Sequence, residues 1–311
     1  MKFRILTIII NYKTPDLVIN AVESIIKQTD HTRDRIVIVD NFSNDGSVKA
    51  IQQAISNRSW SSVVKLLPSP INGGFSAGNN LGIQSAEADY YLLLNSDALL
   101  RDGAIESLLK AFTSSSRIGI VGPRLEWEDG NAQASCFNNL TPPREFKRAA
   151  ETHFIIKQLS ALGVKSITIP SVDTPLTPEW ISFACVMIRS EVITDVGLMD
   201  EGFFMYREDN DYCRRVRKKN WGILFWPDAR VIHLNKGASN SERKRLPYYF
   251  YKSRSYYYKK YYGILGLLLA NTLWEFSRVI MLLRSLLGQR KSGLHPSTWR
   301  DIWIGFIKSK S

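Results

Sequence analysis

Residues 88–100, ADYYLLLNSDALL, constrain the fold more than any other stretch of the chain. Tyr90, Tyr91, Leu92, Leu93 and Leu94 follow one another without polar alternation. That pattern belongs to a strand buried on both faces of a mainly parallel sheet. The run stops at Asn95, Ser96 and Asp97. Ligands of open α/β sheets sit beyond the carboxyl ends of the strands. Asp97 therefore stands where a divalent cation, shared with a phosphorylated ligand, would meet a carboxylate oxygen. A polar strand end before a helix capped by Asp102 explains the same residues without any ligand.

The N-terminal third repeats one unit. Residues 5–10 are rich in β-branched side chains and read as a first strand, and Pro15 opens a helix that runs to about Gln28. The opening MKFRILTIIIN has a short apolar run, interrupted by Asn11, and no small-residue cleavage site, so it reads as this strand rather than as a leader. Residues 35–39 form a second strand ending on Asp40, followed by the turn-rich NFSNDGS. A helix over 48–56, a third strand over 63–67, the loop NGGFSAGNN and a helix to about Ala86 complete the series. Alternating strands and helices predict βαβ units and a parallel sheet. The glycine-rich loop is neither a Walker loop nor G-x-G-x-x-G. It serves either as a turn before a helix or as a close backbone approach to a diphosphate or ribose.

Beyond Arg101 the pattern loosens. A helix is expected over 104–112 and strands over 118–121 and 180–188. Residues 126–178, rich in Pro and Asn, carry no assignable chemistry, and an acceptor-facing insertion or lid is one reading of them. The stretch FFMYREDND opens the helix DYCRRVRKKN. Acids in its first turn and bases in its last complement the helix dipole, which accounts for Glu208, Asp209 and Asp211. A carboxylate at a helix start beside aromatics is equally a usable general base. Short strands over 224–226 and 230–232 follow, with His233 at the end of the second and the polar loop 236–239 after it.

Charge divides the chain unevenly. Residues 241–311 hold 14 Lys and Arg against 3 Asp and Glu, almost the whole of the net +12. Such a tail meets anions, either nucleic acid or a lipid surface. Aromatics and bases interleave over 248–262, and 264–287 is strongly apolar. Within it Asn271, Glu275, Arg278 and Ser285 share one helical face. The charges disfavour a simple spanning helix, so the expectation is an amphipathic helix lying in a membrane interface, with packing on the body or on a second copy of the chain as the alternative. Cys136, Cys185 and Cys213 form no disulfide or zinc pattern, which fits a reducing compartment.

Six stretches, IIINYKT, VIVDNFSNDGS, NGGFSAGNN, LLLNSDA, GLMDEGFFMYREDNDYCRRVRKKNWG and VIHLNKGAS, resemble in order those of family 2 glycosyltransferases, especially bacterial rhamnosyltransferases of cell-surface polysaccharide assembly such as O-antigen. The resemblance implies an α/β protein of GT-A fold: a mainly parallel nucleotide-binding sheet flanked by helices, with a C-terminal helical extension. It implies a glycosyltransferase domain over 1–240, with a nucleotide half at 1–100 and an acceptor half at 101–240, and a tail over 241–311. It places Asn11, Asp40, Asn72, Asn79 and Asn95 around the donor nucleotide, Asp40 reading the pyrimidine. It makes Asp97 and His233 the ligands of Mg2+ or Mn2+, Asp209 the catalytic base, and Trp180 and Glu208 acceptor residues. Asn95 departs from the family's first Asp, and Arg207 and Phe183 stand where an aromatic and a glycine are expected.

The implied reaction is metal-dependent and inverting. It moves L-rhamnose from dTDP-L-rhamnose to a saccharide acceptor, expected to be lipid-linked, at the cytoplasmic face of the bacterial inner membrane. A homodimer is a further expected partner state, and nucleic acid is not expected as a partner. Two other classes compete. A nucleotidyltransferase would need a basic phosphate loop near the N-terminus, where IIINYKTPD offers only Lys13. A non-catalytic nucleic-acid-binding protein would use the basic, aromatic tail, against which stand its long apolar segment and the acidic candidate site.

Overall fold

The computed structural model describes residues 2–150, 152–235, 246–286 and 298–304. The loop 236–239 singled out above lies outside them. The strands are β1 (Phe3–Asn11), β2 (Asp34–Asp40), β3 (Val64–Pro68), β4 (Ala88–Asn95), β5 (Ala98–Leu100), β6 (Ile118–Glu126), β7 (Cys136–Phe137), β8 (Trp180–Ile181), β9 (Cys185–Arg189) and β10 (Gly222–His233). The helices are α1 (Pro15–Ile26), α2 (Ser47–Asn57), α3 (Gly74–Gln84), α4 (Ala104–Ala111), α5 (Pro142–Ala150), α6 (His153–Ala161), α7 (Ser190–Val196), α8 (Glu208–Lys218), α9 (Tyr248–Leu286) and α10 (Thr298–Asp301).

By internal contacts the chain falls into two compact units, each discontinuous in sequence. The first comprises Met1–Cys136, Pro170–Phe204 and Glu208–Asn240; the second Phe137–Ile169, Met205–Arg207 and Ser241–Ser311.

The first unit is built on an eight-stranded sheet of order β3-β2-β1-β4-β9-β6-β10-β5. Pairings β2–β3, β1–β2, β1–β4 and β6–β10 are parallel, while β9 runs antiparallel to both its neighbours and β5 antiparallel to β10. This is the GT-A architecture expected from the sequence. Leu92, Leu93 and Ile8 at its centre are fully buried, and each such side chain contributes about 1.5–3 kcal/mol by leaving water. Helix α1 buries Val18, Ala21, Val22 and Ile25, the three-and-four spacing of one helical face.

Only Ser96 and Asp97 separate β4 from β5, yet three strands, β9, β6 and β10, lie between them in strand order. The sheet must therefore curl, and the curl carries the end of β10 round to the end of β4. Two expected elements change. The strands over 224–226 and 230–232 are one strand, β10, whose register against β6 shifts between Trp226 and Arg230. Pro227 in that gap has no N–H to give the ladder, so a bulge is the natural solution. The strand over 180–188 is two, β8 and β9. Between them Ser182 turns its own N–H to Ser135 O at 2.9 Å and its hydroxyl accepts from Ala184 N–H at 3.3 Å.

In the second unit α5 packs along α9. Helix α9 breaks at Gly263, whose φ of +66° favours glycine. By length and composition α9 is apolar enough to cross a membrane. The polar residues of its second half do share a face, as expected. Asn271 and Arg278 are nevertheless buried, and Leu265, Leu269, Phe276 and Leu283 are exposed. The polar stripe meets protein, and the apolar stripe faces outward.

Candidate active site

The carboxyl ends of β1, β2 and β4 and the end of β10 carry most of the residues singled out by sequence. Parallel register sets Asn11 beside Asp40. Asn11 Nδ2 donates to Asp40 Oδ1 at 2.6 Å and to Ser43 Oγ at 3.0 Å, and Ser43 donates from its N–H and its hydroxyl to the same carboxylate. Asp40 is thus buried and fully braced. Lys13, Phe42 and Asn44, in the two loops that follow, adopt left-handed φ values of 60°, 60° and 50°. For Phe42, which is half exposed, that is a real outlier, and such strain gathers at ligand sites. Thr14 Oγ1 lies 3.3 Å from Ser96 Oγ, tying the first loop to the turn that holds Asp97.

The glycine-rich loop is fastened by asparagines. Asn41 Nδ2 donates to Asn72 Oδ1 and Gly74 O, each at 3.0 Å, and Asn72 Oδ1 also accepts from Gly74 N–H at 3.1 Å. Gly74 has φ +80°, and a Cβ there would stand 2.0 Å from Phe204 O. Phe75 N–H donates to that same oxygen at 2.7 Å. The loop is therefore locked against Phe204, in the irregular stretch that precedes Glu208. Asn79 lies one turn into α3 and donates to Phe75 O at 3.0 Å.

Asp97 is buried, and its carbonyl accepts from Leu234 N–H at 2.9 Å. With His233 paired opposite Ala98, this places Asp97 Oδ1 3.5 Å from His233 Nε2. The other ring nitrogen, Nδ1, lies 3.3 Å from Gln133 Oε1. Gln133 Nε2 donates to His233 O at 2.6 Å and to Glu126 O at 3.1 Å, which fixes the amide so that Oε1 faces the ring. An Nδ1–H bonded to Oε1 leaves Nε2 with its lone pair toward Asp97, and a ligating histidine is held in this way. Asn95 closes β4, its N–H bonded to Ala184 O.

At the start of α8 the acids separate. Asp211 is fully buried and paired with Arg215 Nε at 2.9 Å. Arg215 also donates to Val196 O and Leu198 O, so this pair is structural. Asp209 is half-buried, with Oδ1 accepting from Asn210 N–H at 2.7 Å. Glu208 is buried beside it, and Tyr206 and Arg207, which precede them, have φ of 70° and 75°. Phe183, one of the departures noted above, packs edge-on to Tyr212 at 6.1 Å. Trp180 is buried in β8.

Sequence reasoning missed Gln133, Asn41 and Asn80. Asn80 holds the segment before α8 by donating to Met199 O and Glu201 while accepting from Met199 N–H. Its signal was present in the doubled asparagine of NGGFSAGNN. Gln133 has no such signal, because it lies in a stretch without periodicity.

Among the described residues no three His, Cys, Asp or Glu side chains cluster as a metal cage. Asp97 and His233 are nonetheless a carboxylate oxygen and an imidazole nitrogen facing one another. That donor set fits Mg2+ or Mn2+, which takes one or two protein ligands and completes its shell with substrate phosphates and water.

Residues 7–161 match the family described as glycosyl transferase family 2. The N-acetylglucosaminyl-diphospho-decaprenol L-rhamnosyltransferase of Mycobacterium tuberculosis is 28% identical over 209 residues, covering 64% of this chain and 66% of that protein. The chain thus spans just under two thirds of this curated relative's length. Among solved structures, GalNAc-T7 with UDP, GalNAc and Mn2+ aligns with a TM-score of 0.58 at 17% identity, over 82% of this chain and 47% of that one. The mannosyltransferase PcManGT from Pyrobaculum calidifontis, in complex with GDP-Man and Mn2+, aligns with 0.54 at 12% identity, over 97% and 84%. These two establish likeness of fold. None of these proteins is named as a nucleotidyltransferase or a nucleic-acid binder.

Proposed function

We propose, from the premise that this chain is a glycosyltransferase of family 2, that it moves an L-rhamnosyl group from dTDP-L-rhamnose to a saccharide carried on a lipid diphosphate. Rhamnose and the lipid diphosphate are suggested by the name of the mycobacterial relative. The observation that carries a metal-dependent transfer is the Asp97–His233 approach of 3.5 Å, with the far side of the imidazole held by Gln133.

In this reading Asp40 and Asn11 receive the pyrimidine, and Asn72 with the backbone of the glycine-rich loop lies along the ribose and diphosphate. Asn79 and Asn95 border that pocket. Asp97 and His233 hold Mg2+ or Mn2+, which when bound neutralises the charge growing on the departing diphosphate. Asp209 accepts the proton of the acceptor hydroxyl. As that oxygen bonds to the anomeric carbon, the bond from carbon to diphosphate oxygen breaks on the opposite face and dTDP leaves. One base and no covalent nucleophile give inversion. Glu208 and Trp180 border the acceptor.

The tail sets the enzyme on the cytoplasmic membrane surface, where such an acceptor resides. Its exposed apolar stripe meets the lipid, and its bases meet anionic headgroups at about 1 kcal/mol each. The experiment is a panel of dTDP-, UDP- and GDP-sugars incubated with Mn2+ or Mg2+, read by thermal shift and by release of free sugar. Stabilisation and slow hydrolysis confined to dTDP-L-rhamnose are expected. Response only to UDP-glucose or UDP-galactose overturns the donor.

A further inference from the structure

Helix α3 rises out of the glycine-rich loop and carries Asn79, while α8 opens on Glu208 and Asp209. The stretch 196–199 lies between these two helices, held on one side by a single asparagine. Asn80 is 2% exposed. Its Nδ2 donates to Met199 O at 2.9 Å and to Glu201 Oε1 at 2.8 Å, and its Oδ1 accepts from Met199 N–H at 2.9 Å. Both polar groups of the Met199 backbone are thus taken by one side chain. An amide matched in this way imitates a strand partner and fixes orientation as well as distance.

Helix α8 grips the same stretch. Tyr212, fully buried, donates from its hydroxyl to Gly197 O at 3.1 Å. Arg215 donates from Nη1 to Val196 O at 3.2 Å and from Nη2 to Leu198 O at 2.9 Å. Four successive residues, 196–199, are therefore bonded to α8 through three carbonyls and to α3 through one peptide. Phe75 N–H adds a second tie, to Phe204 O, closer to the start of α8.

That start is held at a cost. Asn210, between Asp209 and Asp211, is fully buried, and neither Oδ1 nor Nδ2 of its amide has a hydrogen-bond partner among the described residues. A buried amide left unmatched opposes the arrangement, so the first turn of α8 is kept in place by other contacts.

We propose that Asn80 is a positioning residue for the transfer: through Met199 and the carbonyls of 196–198 it sets Asp209 against the glycine-rich loop. The inference rests on the roles given above to Asp209 and to that loop, and adds the link between them. Asn80 is buried, so it acts on the reaction through Asp209.

The test is a double-mutant cycle in the full chain. Hydrolysis, in which water stands in for the acceptor hydroxyl, is followed with whichever of the dTDP-, UDP- and GDP-sugars the wild type cleaves. Wild type, Asn80→Ala, Asp209→Asn and the double variant are compared, with turnover expressed per folded molecule from the urea curve of each. Asn80→Ala is expected to lower kcat about tenfold to a hundredfold, the effect of misplacing a reacting group by about an ångström. KM for the donor should stay within about threefold, since the residues assigned to the nucleotide are unchanged. In the Asp209→Asn background the same substitution should change kcat by less than about threefold, because a residue acting through the base has nothing left to position. Asn80→Asp has the same size and keeps the acceptor for Met199 N–H, and it carries the cycle if Asn80→Ala does not fold. Lower stability with normal kcat per folded molecule makes Asn80 a purely structural clasp and overturns the inference. An equal loss of kcat in both backgrounds overturns it too, because the effect then bypasses Asp209. Failure of the premise reads separately. If Asp209→Asn turns over normally, or no donor is cleaved by the wild type, the base or the reaction is wrong and the inference falls with it.

Discussion

Gln133 and His233 lie 100 residues apart in sequence, and the amide oxygen of the one stands 3.3 Å from Nδ1 of the other. The same amide donates to His233 O, so ring and backbone are both held. Replacing Gln133 by Leu frees the imidazole to rotate and to change tautomer. Mn2+ affinity, measured by electron paramagnetic resonance in the presence of dTDP, is expected to fall about 10–100-fold, as for other residues that orient a metal ligand. Unchanged affinity would remove Gln133 from the site.

Asp97→Ala removes the carboxylate beside His233. Nucleotide binding is expected to lose its dependence on divalent cation, and transfer to stop. Chelation of metal from the wild type should have the same effect on transfer. Full turnover in EDTA would dispose of the metal reading.

Asp209→Asn keeps size and polarity at the start of α8 but cannot take a proton. Turnover is expected to fall about 10²–10⁴-fold with donor affinity retained. Asp211→Asn is the control, because that residue is committed to Arg215. It should lower stability rather than chemistry. If Asp209→Asn behaves like Asp211→Asn, both acids merely serve the helix.

Glu145 and Arg254 form a buried pair, with Arg254 Nη1 also donating to Asn271 Oδ1 at 2.6 Å. Tyr258 and Trp274 lie 4.8 and 5.2 Å from the guanidinium. Burial pushes the Glu145 carboxyl up, but the neighbouring Arg254 outweighs it and holds the carboxyl below its ordinary value of 4.5. A depressed carboxylate stabilises fully above that ordinary value and loses the contribution as pH falls through the lower folded one. Urea midpoints of the wild type should therefore drop as pH falls below about 4.5, and those of Glu145→Gln should lack this component. At pH 7 the substitution strands Arg254 and is expected to cost about 3–5 kcal/mol. A pH profile identical to the wild type's would show that the pair carries no linkage.

Leu265 and Leu283 are exposed on the apolar stripe of α9. Leu265→Glu with Leu283→Glu should leave the fold intact and reduce sedimentation with anionic vesicles, the residual binding weakening further with salt. If the stripe instead joins two copies of the chain, the double variant becomes monomeric by light scattering and wild-type sedimentation is absent.

The first four strands and their helices are legible in the sequence because burial there is set locally. The uninterrupted run in β4, the β-branched run in β1 and the spacing of Val18, Ala21, Val22 and Ile25 each state which face must leave water. Strand ends follow from the same pattern, so Asn11, Asp40 and Asp97 could be placed at the mouth of the sheet. Helix α5 was not legible, because PPREFKRAA buries the charged Glu145 against Arg254 of its partner, and hydrophobic periodicity does not register such a fork. Gln133 acquires its role only when the curled sheet brings the end of β10 to the end of β4. The tail shows the division most plainly. Its sequence determines that Asn271 and Arg278 lie on one face and the leucines on another. Which face meets protein was decided by tertiary structure: Arg254 and Asn271 found buried polar partners in Glu145 and Ile302 O, and an unpartnered polar group in the interior costs more than an apolar one left outside.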